Sequence, residues 1–383
     1  MPAFKSRIES ALAERKTQGL NRSMNVVFAG NQAILEHEDR CYINFSSNDY
    51  LGLANDQELV RVWHQGLSIY GNGSGASPMV TGFSAAHSNL ESALTEWLGY
   101  ERAILFGSGF SANQALLFTL LEKSDVLIQD RLNHASLMEA GALSPAKMKR
   151  FKHNDIEHLK SLINSEDSHL VVTEGVFSMD GDCAPLSDIA EVVRNHGAWF
   201  VVDDAHGIGV LGQSGGGSCE LAGVKPEILI VTFGKAFGMS GAAILCDHAT
   251  GDFLTQFARH HVYSTAMPPA QAYALTHAVS MIQKQSWRRE KLIELSEVYR
   301  DNFSVFDGFV ETQTSIKPFV IGESELALQV VSACRKNGIW VTAIRPPTVP
   351  KGTSRLRITL TANHTNEQVK TFSIALKQVL GTL

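Results

Sequence analysis

Short apolar runs recur through the middle of the chain at Ala103–Phe106, Val126–Ile128, Leu170–Thr173, Trp199–Val202, Ile228–Val231 and Ala242–Leu245. Each is apolar on both faces, the pattern of strands inside a mostly parallel sheet. Helical spacing fills the intervals, as at Ser111–Glu122 and Pro185–His196, and the alternation predicts a doubly wound α/β sheet. Upstream, Phe4, Ile8 and Leu12 stand four apart and predict a helix ending near Gly19. Val26–Phe45, broken at Gly30-Asn31 and Glu38-Asp39, predicts short antiparallel strands. Downstream, Ala270–Asn302 reads as one long helix leading out of the sheet. Strands at 309–321, 339–344 and 354–361 and helices at 324–337 and 366–380 then predict a smaller α+β unit. The division expected is an N-terminal arm over 1–45, a large domain over 46–285 and a small C-terminal domain over 286–383.

In open α/β sheets ligands bind beyond the carboxyl ends of the strands, so the residues just past each run carry the chemistry. Ala103–Phe106 is followed by Gly107-Ser108-Gly109-Phe110 and a helix. Glu174 and Ser178 follow Leu170–Thr173, Asp203 and His206 follow Trp199–Val202, and Thr232 and Lys235 follow Ile228–Val231. Taken singly, each has a structural explanation: a turn, a helix cap, a solvated loop lysine, a hydrogen-bonded core histidine. Together they supply what pyridoxal phosphate requires. These are a lysine for a Schiff base, an acid for the pyridinium nitrogen, and a Gly-Ser-Gly turn whose free N–H groups and helix terminus favour a phosphate. The lysine must also be made nucleophilic by desolvation or neighbouring cations.

Two other motifs compete. Gly207 to Gly212 matches the G-x-G-x-x-G of a nicotinamide-dependent oxidoreductase, but it runs into the glycine-rich loop 213–218 and has no strand-end acid about 20 residues on. Gly212 to Gly216 matches G-x-S-x-G without the strand and helix a nucleophile elbow needs.

The charge balance, 33 Lys+Arg against 39 Asp+Glu, offers no basic stripe for nucleic acid. No apolar run approaches a membrane span, and the N-terminus has no apolar signal region. Five scattered cysteines with no CxxC pair or zinc spacing fit a reducing compartment. A soluble cytoplasmic protein with no membrane or nucleic-acid partner is expected.

The stretches NFSSNDYLGL (44–53), GNGSGASPMVTGFSAAHSNLE (71–91), VTEGVFSMDGDCAPL (172–186), VVDDAHGIGVLG (201–212) and TFGKAFGMSGAA (232–243) closely resemble the α-oxoamine synthases over nearly the whole chain. These are pyridoxal-phosphate enzymes of the aspartate-aminotransferase-like fold (fold type I). Pro78 departs from the pattern, since many members have Arg there. The stretch VTAIRPPTVPKGTSRLRITLTA (341–362) resembles most the members that join L-alanine to a pimeloyl thioester, on acyl carrier protein or coenzyme A, in biotin biosynthesis. Glycine C-acetyltransferase and 5-aminolevulinate synthase are the sister activities.

The resemblance implies roles residue by residue. Lys235 carries the cofactor and moves the Cα proton, and Asp203 pairs with the ring nitrogen. His206 and Ser178 face the ring 3′-oxygen, and His134 stacks on the ring near substrate. Gly109, Phe110 and Thr232 hold the phosphate. Arg357 takes the amino-acid carboxylate, which suits a planar bidentate fork, and Arg355, Arg357 and Thr359 share one strand face. Arg22, Thr348, Arg345 and Asn48 are substrate contacts, Glu174 is a further site residue, and a homodimer is implied.

Overall fold

The computed structural model describes residues 3–164 and 167–382. The first helix, Ala3–Thr17, forms as its spacing predicts, but Phe4, Ile8 and Leu12 are all exposed, so among the described residues the stripe is not packed into a core. A hairpin follows, β1 (Ile34–His37) and β2 (Arg40–Asn44), antiparallel and turning at Glu38-Asp39, both at positive φ.

Seven strands form the central sheet: β3 (Arg102–Phe106), β4 (Val126–Asp130), β5 (Lys147–Phe151), β6 (His169–Glu174), β7 (Trp199–Asp203), β8 (Ile228–Thr232) and β9 (Ala242–Cys246). Their order is β3-β9-β8-β7-β6-β4-β5. Pairings from β8 to β5 are parallel, and β9 runs antiparallel to both its neighbours. All six apolar runs are strands of this sheet. Their double-sided apolarity has a direct cause: Leu170 and Val172 enter one core, Val171 the other, and Ile228 and Ile230 divide from Leu229 and Val231 in the same way. The seventh strand, β5, is an edge with exposed Lys147 and Arg150, charges that blunt further pairing.

Beyond the sheet the expected helix 270–302 is instead two, Pro269–Lys284 and Trp287–Phe303, broken at Gln285-Ser286. The break turns two arginines inward. Arg288 Nη1 donates to Leu51 O at 2.7 Å and its Nη2 pairs with Asp56 Oδ2 at 2.6 Å. Arg289 donates to Ile282 O and Gln213 O. Strand β10 covers only Ile316–Gly322, with Phe309 making an isolated bridge to Phe319. The expected strand 339–344 is two, β11 (Ile339–Trp340) and β12 (Thr342–Ile344). At buried Val341 the chain passes from the hairpin sheet, where β11 lies parallel to β2, to a second sheet ordered β10-β13-β12, with β13 at Ser354–Thr359.

Arg288 is 4% exposed and anchors the loop that follows β2. We expect Arg288→Met to lower the unfolding free energy by about 3 kcal/mol, because Asp56 and Leu51 O lose a charged donor. Denaturant titration checks this; a change under about 1 kcal/mol would mean the loop is held elsewhere.

Among the described residues no helix is long and apolar enough to cross a membrane, no metal-ligand cluster occurs, and the five cysteines are free.

Candidate active site

The carboxyl ends of β3, β6, β7 and β8 open into one cavity of about 280 Å³, lined by Gly109, Phe110, His134, Glu174, Asp203, His206, Thr232 and Lys235. Its first wall is the turn after β3. Ser108 caps the helix Gly109–Leu120 by accepting from Ser111 N at 3.1 Å; Gly109 and Phe110, at its first positions, have no intrahelical acceptor for their N–H groups. A Cβ on Gly109 would lie 2.8 Å from Thr232 Cγ2, so only glycine lets this turn approach the end of β8.

Asp203, 5% exposed at the end of β7, accepts from Asn113 Nδ2 at 2.8 Å and from Ala205 N at 3.1 Å. Asn113 lies one helical turn beyond Gly109 and also donates to Ser136 Oγ. Ser136 N donates to His134 Nδ1 at 3.2 Å and its Oγ lies 2.8 Å from the same nitrogen. Burial holds His134 below its usual pKa, so its ring is neutral, accepts at Nδ1 and carries its proton on Nε2. A hydrogen-bonded chain therefore joins Asp203 to His134.

His206 is fixed by Tyr50, whose hydroxyl lies 2.5 Å from Nδ1. Burial and the nearby Lys235 and Arg357 charges push its pKa well down. Burial also raises Glu174 well above the carboxylate range, and Asp203 adds to the effect. Glu174 Oε1 has no partner. Lys235 falls to about 8, through burial first, although Asp203 and Glu174 pull the other way. Its turn is packed tightly: Gly238 has φ +69°, and a Cβ there would sit 2.2 Å from Ala54 N.

Lys235, His134 and His206 also line a second cavity of about 310 Å³, with Asn48, Ser178 and Arg357. Arg357 on β13 donates from Nε to Ser178 O at 2.6 Å and from Nη1 to Asn48 Oδ1 at 2.9 Å. Ser178 thus lies beside Arg357, lining the second cavity and not the first. Arg22 and Thr348 are exposed and line neither cavity. Nor does Arg345, which donates to Gly19 O at 2.7 Å and so ties the 345–348 turn to the segment before Arg22. Arg355 pairs with Asp180 and stays out of both cavities. Asn113, Ser136 and Tyr50 escaped the sequence reading. The i, i+4 spacing from Gly109 to Asn113 was the available signal for the first.

The family model for aminotransferase class I and II matches residues 40–376. The 8-amino-7-oxononanoate synthase of Vibrio campbellii is 88% identical, covering all of both chains. Among solved structures, serine palmitoyltransferase from S. paucimobilis with a bound PLP–myriocin aldimine superposes with a TM-score of 0.92 at 27% identity, over 99% of each chain. The 8-amino-7-oxononanoate synthase of Francisella tularensis superposes with a TM-score of 0.78 at 28% identity, over 89% of this chain and 98% of its own. A family match across most of the length, a full-length relative 88% identical and a strand-end cavity of this composition converge: the chain belongs to the 8-amino-7-oxononanoate synthases, pyridoxal-phosphate-dependent acyltransferases of the class I and II aminotransferase family.

Proposed function

We propose that the chain joins L-alanine to a pimeloyl thioester, carried on acyl carrier protein or coenzyme A, with pyridoxal phosphate in the first cavity and the amino-acid carboxylate in the second. The observation that carries this reading is the shared wall: Lys235, His134 and His206 border both spaces. The cofactor fits on structural grounds. The Gly109 turn, close-packed on Thr232, presents an anion-binding helix N-terminus. Asp203 is a buried carboxylate, Lys235 an amine poised near neutrality, and Glu174 Oε1 an unpartnered buried polar atom.

When bound, the pyridinium ring accepts the electron pair left at the amino-acid Cα. In this reading Asp203 would hold the ring nitrogen, Gly109 and Phe110 N–H and Thr232 would hold the phosphate, and His206 would face the 3′-oxygen, while Ser178 lies beside Arg357 in the carboxylate space. Arg357, seconded by Asn48, orients the carboxylate. Lys235 Nζ takes the Cα proton and later returns one. His134 Nε2–H faces the thioester carbonyl. Alanine Cα bonds to the thioester carbonyl carbon, thiol leaves, the carboxylate leaves as carbon dioxide, and one proton is taken up overall, giving 8-amino-7-oxononanoate. Ile344 lines the second cavity, so Arg345, Thr348 and the linked Arg22 segment act at its rim. A second copy of the chain covers the exposed Phe4, Ile8 and Leu12 stripe with Met24, Val26 and Phe28.

The test is amino-acid choice. Purified enzyme with pyridoxal phosphate and pimeloyl-coenzyme A should release carbon dioxide with L-alanine and not with glycine or L-serine. Release with glycine alone would move the substrate to a sister activity.

Capture of the cofactor by the apoprotein should follow the free amine of Lys235. At about pH 7.5 roughly a quarter of an amine titrating near 8 is neutral, against roughly 0.1% of an ordinary lysine. The capture rate should therefore climb through pH 8 and level off above it. A rate still rising steeply at pH 10 would mean that Lys235 is not desolvated.

A further inference from the structure

We infer that His153 is a positioning residue for the amino-acid carboxylate: by bridging Asp130 and Asp182 it anchors the 178–183 loop that holds Arg357. The inference rests on Arg357 as the carboxylate-binding group. The loop leaves β6 and is gripped from two sides. On the small-sheet side, Arg357 Nε donates to Ser178 O, Arg355 pairs with Asp180, and Thr314 Oγ1 donates to Gly181 O at 2.7 Å. On the large-sheet side, His153 Nε2 lies 2.7 Å from Asp182 Oδ2, and its Nδ1 lies 3.1 Å from Asp130 Oδ1 at the end of β4. Asn154 reinforces the same grip, donating from its side chain to Asp182 Oδ2 at 2.9 Å and from its backbone to Asp130 Oδ2 at 2.9 Å.

Nδ1 faces Asp130 and Nε2 faces Asp182 Oδ2 at 2.7 Å, while the Asn154 amide, 3.3 Å from Nε2, makes its shorter bond of 2.9 Å to the same Asp182 oxygen; carboxylate oxygens only accept, so the ring satisfies both as the two-donor imidazolium. Phe177 meets the ring edge-on at 4.4 Å. Asp130 and Asp182 are the charges that act on it, and they outweigh burial to raise its pKa to about 9. Neither His153 nor either aspartate lines the two cavities. Removing the imidazolium leaves two carboxylates facing each other across the gap. The loop then loosens at its large-sheet end, and Ser178 O no longer fixes the Arg357 fork.

The experiment compares His153→Gln, Asp182→Asn and Arg357→Lys holoenzymes in steady-state kinetics. His153→Gln and Asp182→Asn should each raise KM for L-alanine about tenfold, as expected when a binding group is displaced by a fraction of an ångström, with kcat and KM for the thioester within about twofold. The wild type should show an extra rise in alanine KM above pH 9 that His153→Gln lacks. The His153 resonance in NMR of the wild-type chain should titrate near 9, a readout that needs no folded variant. An unchanged alanine KM in His153→Gln with a raised one in Arg357→Lys overturns this inference and leaves the carboxylate reading intact. No change in Arg357→Lys overturns the carboxylate reading itself, and a His153 titration at or below 7 overturns the imidazolium bridge.

Discussion

Lys235→Ala should abolish turnover, with kcat lower by at least about 10,000-fold, because under the proposed function it removes both the covalent anchor and the base in one step. The remaining groups cannot substitute for it. Burial, with the Arg357 charge that remains in the variant, keeps the His206 pKa low, and its Nδ1 is committed to Tyr50. His134 Nδ1 is committed to Ser136, and burial pushes Glu174 toward its neutral form, so no free base stands where the Lys235 amine stood. The cofactor should still bind, since the Gly109 turn, Thr232 and Asp203 remain. Borohydride reduction followed by intact-mass measurement separates the roles. The parent should gain the cofactor mass permanently, and the variant should release it on unfolding. Turnover above about 1% of the parent would remove Lys235 from its role.

The parts of this molecule that could be read from residues alone are those whose surroundings are uniform. Strands β6 and β8 are buried on every position, so their apolar runs stand out, and the residues after them fall at the sheet's carboxyl edge as topology requires. Features set by unlike surroundings were less legible. The sequence KMKRF at 147–151 looks polar because β5 is an edge. The helix 270–302 looks continuous because the Gln285-Ser286 break is made by Arg288 and Arg289 reaching partners more than 70 residues away, at Leu51, Asp56 and Gln213. The site shows the same division. Asp203, His206 and Lys235, which line one cavity, are legible because each follows a recognisable strand. Tyr50 and Asn113 hold side chains 156 and 90 residues distant in the chain; the spacing from Gly109 places Asn113 on the cavity side of its helix, and no local pattern signals either contact. The period-2 spacing puts Arg357 on one face with Arg355 and Thr359, yet its bond to the Ser178 carbonyl comes from the folding of a distant loop around it.

Asp203→Asn should retain the fold and lose about 1,000-fold in kcat, comparable to removing a key electrostatic partner from a buried site. Both carboxylate oxygens accept from the protein, Oδ2 from Asn113 and Oδ1 from Ala205 N. An amide must therefore turn its NH2 against one of those donors, which costs about 1–3 kcal/mol and lowers the melting temperature by a few degrees. In the proposed reading the larger loss comes from removing the negative charge that would keep the bound cofactor an effective electron acceptor. The direction of one further shift separates this cause from its rival. Asp203 raises the Lys235 pKa from within the cavity, so the substitution lets Lys235 fall further below 8, and the amine becomes more available, not less. A rate loss therefore cannot come from a lysine held protonated. Deuterium exchange at alanine Cα, measured without acyl donor, reads the step directly: it should slow with kcat while alanine still binds, and exchange at the parent rate would take Asp203 out of the role assigned to it.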